Sequence, residues 1–205
     1  MIAVLDYGIG NLRSAQKALE RVSGLDVRLV TNAADADGAS GVVLPGVGAF
    51  GRCMEALRAS GLDTVAKDAV DASVPFLGIC VGMQMLYDGS DEDPDVSGLG
   101  ILPGRIRLIP DGVKRPQMQW NQLRFRGPDD PLFAGVRDGD WVYFVHSYAA
   151  PLDERVIASV EYGGDVAAAI STGAMWATQF HPEKSGEVGL RILANFATVA
   201  AGHRS

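Results

Sequence analysis

Residues 75–86 read PFLGICVGMQML, a short apolar run that meets a helical pattern at a cysteine between two glycines. The spacing Gly78-x-Cys80-x-Gly82 is that of a nucleophile elbow, the sharp strand-to-helix turn that exposes a reactive side chain at the edge of an α/β sheet. Glycines suit this turn because a Cβ at either place would crowd the neighbouring strand or helix. The pattern predicts a strand before Cys80, a helix over residues 82–87, and Cys80 as a nucleophile whose thiolate the helix N-terminus stabilises.

A nucleophilic cysteine needs a base, and the chain has three histidines. His203 lies in the polar C-terminal tail, and His146 has no carboxylate at a suitable spacing. His181 follows an apolar alternating run, and Glu183 comes two positions later, with Pro182 between them to keep the backbone extended. Because residues two apart in an extended segment face the same way, Glu183 is expected to orient the imidazole. The sequence therefore predicts a Cys-His-Glu triad, the alternative being a surface histidine beside a solvated glutamate.

Short apolar runs alternate with helical patterns over the first half of the chain, which predicts an α/β fold with a mostly parallel central sheet flanked by helices. Beyond residue 104, runs of strand type follow one another, and we expect them to extend the sheet with mixed or antiparallel strands. These runs cover residues 105–109, 122–125, 141–145, 156–160 and 166–170. No linker is visible, so residues 1–205 are expected to form one domain.

Composition is that of an ordinary globular protein, with 47% hydrophobic and 21% charged residues. The apolar runs are too short for a bilayer and the N-terminus lacks a basic region and cleavage signal, so we expect no membrane role and a cytoplasmic location. A net charge of −7 argues against nucleic acid as a partner. The two cysteines, Cys53 and Cys80, lack metal-type spacing, so no metal site is expected and Cys53 is predicted to lie in the core.

The stretches GICVGMQ (78–84) and QFHPEKS (179–185) together resemble the class I, or triad-type, glutamine amidotransferases. The segments DYGIGNL (6–12), PGVGAF (45–50) and FVHSY (144–148) extend the resemblance over essentially the whole chain. It implies a flavodoxin-like fold, no cofactor, and hydrolysis of L-glutamine through a thioester on Cys80. In that reaction His181 is the general acid and base and Glu183 orients it.

The resemblance also implies further site residues. The backbone N–H groups of Gly48 and Val81 would hold the oxyanion, although PGVG by itself also fits a plain strand-to-helix turn. The implied contacts to substrate glutamine are Gly46, Gln84, Glu92, His146, Ser147 and Tyr148. Of these, Glu92 lies in the acidic loop 88–95, where a solvated run of charges is the alternative.

Ammonia released from glutamine must be handed to an acceptor, and the sequence shows no second catalytic site such as a phosphate-binding loop. The form PGVGAF is typical of glutaminase subunits that serve a separate (β/α)8-barrel cyclase in histidine biosynthesis, so the resemblance implies such a cyclase as the partner. The interface candidates are Asn11, Trp120, Tyr143 and Lys184, and for each of them ordinary surface or core packing is the alternative. Where the family usually has PHMGWN, this chain has PQMQWN at 116–121, and we expect the replacements Gln117 and Gln119 to alter the local turn or its partner contact.

Two alternative functions remain open on the sequence. One is another cysteine hydrolase of the same fold, such as a γ-glutamyl hydrolase, which would not export ammonia. The other is a catalytically silent scaffold that kept the fold. The PGVGAF, HSY and HPEKS segments argue against the first, and the intact set of Cys80, His181 and Glu183 argues against the second.

Overall fold

An eight-stranded sheet lies at the centre of the computed structural model, which describes residues 1–127 and 129–203. The strands of its parallel half are β1 (Ile2–Leu5), β2 (Val27–Val30), β3 (Gly41–Gly46), β4 (Phe76–Cys80) and β13 (Met175–Thr178). Those of its antiparallel half are β8 (Arg124–Phe125), β11 (Val156–Glu161) and β12 (Asp165–Thr172). The strand order β2-β1-β3-β4-β13-β12-β11-β8 places the last strand in sequence beside β4.

Helices cover the parallel half of the sheet, and β1, β3 and β4 are accordingly buried at every position. The helices are α1 (Leu12–Val22), α2 (Ala33–Ala36), α3 (Phe50–Ala59), α4 (Leu62–Asp71), α5 (Val81–Gln84) and α6 (Gly186–Gly202). Helix α1 packs against α6, and α3 packs against α4. The predicted architecture, a mostly parallel sheet flanked by helices with antiparallel strands in the C-terminal half, is confirmed. Over the described residues, no helix has the length and apolar character needed to span a membrane.

Within the described part of the chain, five strands lie outside the central sheet. Strands β5 (Tyr87–Ser90), β6 (Leu102–Leu108) and β10 (Tyr148–Ala149) form a three-stranded sheet, and β7 (Gln117–Gln122) pairs antiparallel with β9 (Trp141–His146). The expectation that 105–109 and 141–145 extend the central sheet is therefore wrong. Strands β6 and β9 bury only some of their positions, which suits sheets with one wet face rather than a sheet covered by helices.

Two predicted element boundaries are also corrected. The helix expected over 82–87 spans only Val81–Gln84, because the carbonyls of Met85 and Leu86 accept hydrogen bonds from the segment 99–102 instead of continuing the helix. The single strand expected over 122–125 is divided at Leu123, which is fully buried. Its backbone groups bond to residues 139 and 140, so the chain leaves β7 there and enters β8.

The turn after β4 brings α5 against β3 so closely that a side chain at Gly82 has no space. A Cβ built there would lie 1.8 Å from the carbonyl oxygen of Leu44. We expect Gly82→Ala to lower the free energy of unfolding by about 3 kcal/mol, because backbone atoms must move to admit the methyl group.

Urea denaturation measures this cost. The matched control is Gly24→Ala, because a Cβ at Gly24 meets no atom within 4 Å and its φ is not left-handed. That control should stay within about 0.5 kcal/mol of the unmodified chain. Equal losses in the two variants would contradict the close approach of α5 to β3.

Candidate active site

Cys80 ends β4 in a strained backbone conformation. Its φ of 56° and ψ of −111° are rare for a residue with a side chain, and such strain costs about 1–3 kcal/mol. A Cβ at Gly78 would lie 3.1 Å from the carbonyl group of Gly82, and a Cβ at Gly82 would collide with Leu44. As predicted, both positions need glycine because a side chain would crowd the neighbouring helix or strand. The sulfur is almost fully buried and lies 4.0 Å from the Val145 carbonyl oxygen and 3.7 Å from Gln179 Nε2.

His181 and Glu183 form a buried pair. Nδ1 of His181 lies 2.8 Å from Glu183 Oε1, and that oxygen also accepts a hydrogen bond from the side-chain amide of Asn11 at 3.3 Å. The pairing is as predicted, but its geometric reason is different, since Pro182–Lys184 form a 3-10 turn rather than an extended segment. The turn is held by Ser185, whose hydroxyl donates to the His181 carbonyl.

The charge state of His181 follows from its neighbours. Burial lowers the pKa of His181, but its interactions with the Cys80 sulfur and with Glu183 outweigh burial and raise the pKa to about 9. Nε2 of His181 is buried and has no hydrogen-bond partner among the residues that the structure describes, so this nitrogen is left to exchange a proton with a reacting group.

A cavity of about 600 Å³ opens beside the sulfur and gathers most of the predicted site residues. Its lining includes Asn11, Gly48, Cys80, Val81, Gln84, Glu92, His146, Ser147, Tyr148, His181 and Lys184. Four predicted residues do not line it. Glu183 lies behind His181, Gly46 packs under the elbow, and Trp120 and Tyr143 stack edge-to-face with ring centroids 6.1 Å apart.

The glycine-rich turn 45–48 is anchored from below by two side chains. The Tyr7 hydroxyl donates to the Pro45 carbonyl at 2.7 Å, and the Cys53 thiol donates to the Val47 carbonyl at 3.3 Å. Burial raises the pKa of both Tyr7 and Cys53, so both keep their protons and remain donors. Cys53 is fully buried, which confirms its predicted place in the core.

Glu92 is not part of a solvated run of charges. Its Oε2 accepts the backbone N–H of Phe50 at 2.9 Å, so the carboxylate caps the first turn of α3, and the favourable helix dipole fixes its position at the cavity. The neighbouring Asp93 accepts the N–H of Gly51 in the same way at 2.8 Å. Glu92 therefore presents a fixed negative charge to the cavity.

His146 lines the cavity, but both of its ring nitrogens contact the protein. Nδ1 lies 2.8 Å from the Tyr148 carbonyl oxygen, and Nε2 lies 3.0 Å from Oε1 of the Gln117 side-chain amide. Burial lowers the pKa of His146 to about 4, so the ring is neutral at physiological pH. If His146 contacts a substrate, it therefore does so through its backbone or through the carbon atoms of its ring.

The replaced residues Gln117 and Gln119 lie in regular strand rather than in an unusual turn. Gln117 is fully buried opposite His146, whereas Gln119 is exposed and pairs with Phe144 in the β7–β9 ladder. Sequence reasoning also missed Gln179, a fully buried side chain that donates to the Cys80 sulfur. Its signal was its position directly after β13, the strand that neighbours β4, and directly before Phe180 and His181.

The fold and the three buried side chains define an α/β enzyme of the cysteine-triad type. A family model described as "Glutamine amidotransferase class-I" matches residues 3–200. The chain is 50% identical over 205 residues to the imidazole glycerol phosphate synthase subunit HisH of Synechococcus sp. (strain JA-3-3Ab), an alignment that covers 98% of this chain and 94% of that protein. The HisH subunit of Deinococcus radiodurans is 50% identical over 199 residues, covering 95% and 92%. The chain therefore belongs to the class-I glutamine amidotransferases and, among them, to the HisH subunit family.

Solved structures share the fold at low sequence identity. One described as a crystal structure of glutamine amidotransferase superposes with a TM-score of 0.75 at 20% identity and covers 98% of both chains. PurLQS from Thermotoga maritima superposes with a TM-score of 0.74 at 19% identity, covering 96% of this chain and 97% of that one.

The raised pKa of His181 predicts a specific effect of Glu183→Gln. In this variant the neutral amide cannot stabilise the imidazolium, so the pKa of His181 should fall from about 9 toward its ordinary value of 6.5. Titration of the imidazole by NMR measures the shift. Because the folded pKa is raised, the stabilisation by the protonated ring is complete below about pH 6.5 and is lost as the pH rises through about 9.

Glu187→Gln is the matched control for this titration. Glu187 is an exposed glutamate in the first turn of α6, and the substitution removes the same charge outside the buried pair. It should leave the His181 titration within about 0.3 pH units of the unmodified chain. Equal shifts in the two variants would mean that general surface charge, and not the pair, sets the imidazole pKa.

Proposed function

We propose that the chain is the glutaminase subunit of imidazole glycerol phosphate synthase and hydrolyses L-glutamine to glutamate and ammonia. One observation carries the proposal: a thiol on a strained elbow shares a cavity with an imidazole that a buried carboxylate orients. Identity of 50% to HisH subunits over nearly the full chain supports the particular reaction.

In the proposed reaction, His181 accepts the thiol proton of Cys80 and the sulfur attacks the side-chain amide carbon of glutamine. The C–S bond forms while the carbonyl electron pair moves to oxygen, where the N–H groups of Val81 and Gly48 would hold the negative charge. Removing one such donor typically costs about 3–4 kcal/mol of transition-state stabilisation. The Glu183 carboxylate stabilises the imidazolium throughout this step.

Protonation of the leaving group completes the first half of the reaction. Nε2–H of His181 gives its proton to the amine, the C–N bond breaks, and ammonia departs. A glutamyl thioester remains on Cys80. Water then loses a proton to His181 and attacks the thioester carbon. The C–S bond breaks, glutamate forms, and the sulfur recovers its proton from His181.

The cavity supports binding of the amino-acid end of glutamine. Glu92 supplies a fixed carboxylate for the α-amino group, and Ser147 and Tyr148 line the same cavity and offer further polar groups. Both hydrogens of the Gln84 amide are bonded inside the protein, so Gln84 would contact the substrate as an acceptor through Oε1. Gly46 acts indirectly, because its missing side chain lets β3 approach the elbow.

The proposed partner is a (β/α)8-barrel cyclase subunit, with which the chain forms a heterodimer. The β7–β9 pair exposes Met118, Trp120 and Trp141, whose exposed fractions are 60%, 46% and 52%. Large exposed apolar side chains of this kind are typical of protein interfaces. Asn11 and Lys184 line the cavity, Tyr143 stacks on Trp120, and the whole set is our candidate interface.

The role of the ammonia completes the proposal. The cyclase would use it to convert PRFAR into imidazole glycerol phosphate and AICAR in histidine biosynthesis, within the cytoplasm. We also propose that residues 1–205 act as one domain, and that the turn 46–48 is misaligned in the free chain, so that glutamine hydrolysis is slow until the partner binds its ligand.

Glutamate release tests this function in the purified chain, alone and with a cyclase subunit plus its nucleotide ligand. The partner should stimulate release strongly, and Cys80→Ala should lower it by about three orders of magnitude or more, because the thioester cannot form. The complex with Cys80→Ala should still make imidazole glycerol phosphate from added ammonium, which shows that folding and assembly are intact.

Other results would contradict the proposal in distinct ways. Rapid release that the cyclase leaves unchanged, with no transfer of ammonia to the cyclase, would indicate an independent cysteine hydrolase. No release under any condition, with an intact Cys80, would indicate a silent scaffold. Full activity of the free chain with retained ammonia transfer would contradict only the misaligned turn.

A further inference from the structure

A chain of buried amides leads from the outer strands to the nucleophile. Gln84 Nε2 lies 3.0 Å from the Tyr148 carbonyl oxygen and 3.1 Å from Gln179 Oε1, and Gln179 Nε2 lies 3.7 Å from the Cys80 sulfur. Gln179 is fully buried and Gln84 is 3% exposed, so water does not compete for these bonds.

The direction of this chain is fixed by its outer end. A backbone carbonyl can only accept, so Gln84 must present its NH2 group to Tyr148. The second hydrogen of that NH2 group is donated to Gln179 Oε1. Gln179 therefore has its NH2 group, and not its oxygen, directed at the sulfur.

His146 reinforces the same carbonyl. The neutral ring must donate from Nδ1, because its partner there is the Tyr148 carbonyl oxygen. Nε2 is then an acceptor, whereas the Gln117 atom assigned 3.0 Å from it is Oε1, which also only accepts. Exchanging the amide oxygen and nitrogen of Gln117 turns its NH2 group to the ring and gives Gln117 Nε2, unpaired among the described residues, a partner. Two donors thus hold the Tyr148 carbonyl oxygen in place.

We propose that Gln179 is a further catalytic residue, which donates an amide N–H to the Cys80 sulfur and stabilises its thiolate, and that Gln84 is the positioning residue that fixes its orientation. The hydrogen bond from Gln179 is made to the thiolate sulfur of Cys80 and not to the thioester carbon. It therefore favours formation of the thiolate before attack, and departure of the thiolate when the thioester is hydrolysed. This inference extends the proposed glutaminase reaction and rests on it for its catalytic meaning.

Several titratable groups also surround the sulfur. His181 with Glu183 lies on one side, neutral His146 is close to His181, and Cys53 and Tyr7 lie beneath the turn 45–48. Burial keeps Cys53 and Tyr7 protonated. The charged side chains of Glu92 and Lys184 also line the cavity beside the sulfur. Every variant in the test retains these two groups and the His181–Glu183 pair.

The rate of Cys80 alkylation by iodoacetamide between pH 5 and pH 10 tests the proposal, with Cys80 and Cys53 peptides separated by mass spectrometry. Gln179→Met removes the donor, and we expect about a tenfold slower reaction at pH 7 and a midpoint about one pH unit higher. Gln179→Glu keeps the shape and the bond from Gln84 but places an oxygen against the sulfur, so its shift should be larger.

Gln16→Met is the matched control. It removes a hydrogen bond from the side-chain amide of Gln16 on α1 to the backbone carbonyl of Val27 on β2, at 3.2 Å, and should leave the profile of Cys80 unchanged. Gln84→Met frees the Gln179 amide without altering Gln179 and should shift the midpoint upward by less than Gln179→Met does. If neither Gln179 variant folds, the alkylation midpoint of Gln84→Met tests the proposal.

Superimposable profiles for the unmodified chain and the folded variants would overturn the role of Gln179. Alkylation requires neither glutamine nor a cyclase, so the two proposals can fail separately. A shifted midpoint in a chain without glutaminase activity would uphold the Gln179–sulfur bond and overturn the proposed function. An unshifted midpoint with full, partner-stimulated activity would do the reverse.

Discussion

The close approach of α5 to β3 is the constraint on which the site depends. Gly82 lies against the Leu44 carbonyl with no space for a side chain, and the strained φ of Cys80 is the backbone solution that this contact permits. The same approach places Gly46 opposite Cys80 in the parallel ladder, so the turn 45–48 continues directly beside the sulfur. If α5 lay further from β3, the Cys80 thiol and the turn 45–48 would no longer be adjacent, because the close packing of α5 on β3 is what holds them side by side.

Burial sets the electrostatics of the site through paired groups. The His181–Glu183 pair is almost wholly removed from water, and a carboxylate there is tolerable because it accepts bonds from the imidazole and from Asn11. The result is an imidazole that holds a proton more tightly than a solvated one does. His146, buried without a carboxylate, has the opposite shift, so similar burial gives two histidines with opposite charge preferences.

The strands outside the central sheet position side chains of the site as well as covering it. Strand β9 bonds to the backbone of His181 through Tyr143, and it carries His146, whose ring donates to the carbonyl of Tyr148 in the adjoining strand β10. That carbonyl fixes the amide of Gln84 and, through it, the amide of Gln179. Because β7 pairs with β9 and also exposes Met118 and Trp120, the same few strands join the outer surface to the nucleophile.

Local spacing along the chain was enough to predict the parallel core, the elbow at Cys80 and the pairing of His181 with Glu183, because each rests on backbone geometry over a few neighbouring residues. Where β6, β7 and β9 pair was visible only in the folded chain, since their alternating patterns fit any sheet with one face exposed to water. The folded chain also shows that Glu92 caps α3 and that Gln179 faces the sulfur. Those roles depend on residues that are far apart in the chain and on the direction of hydrogen bonds, which no local pattern of residues encodes.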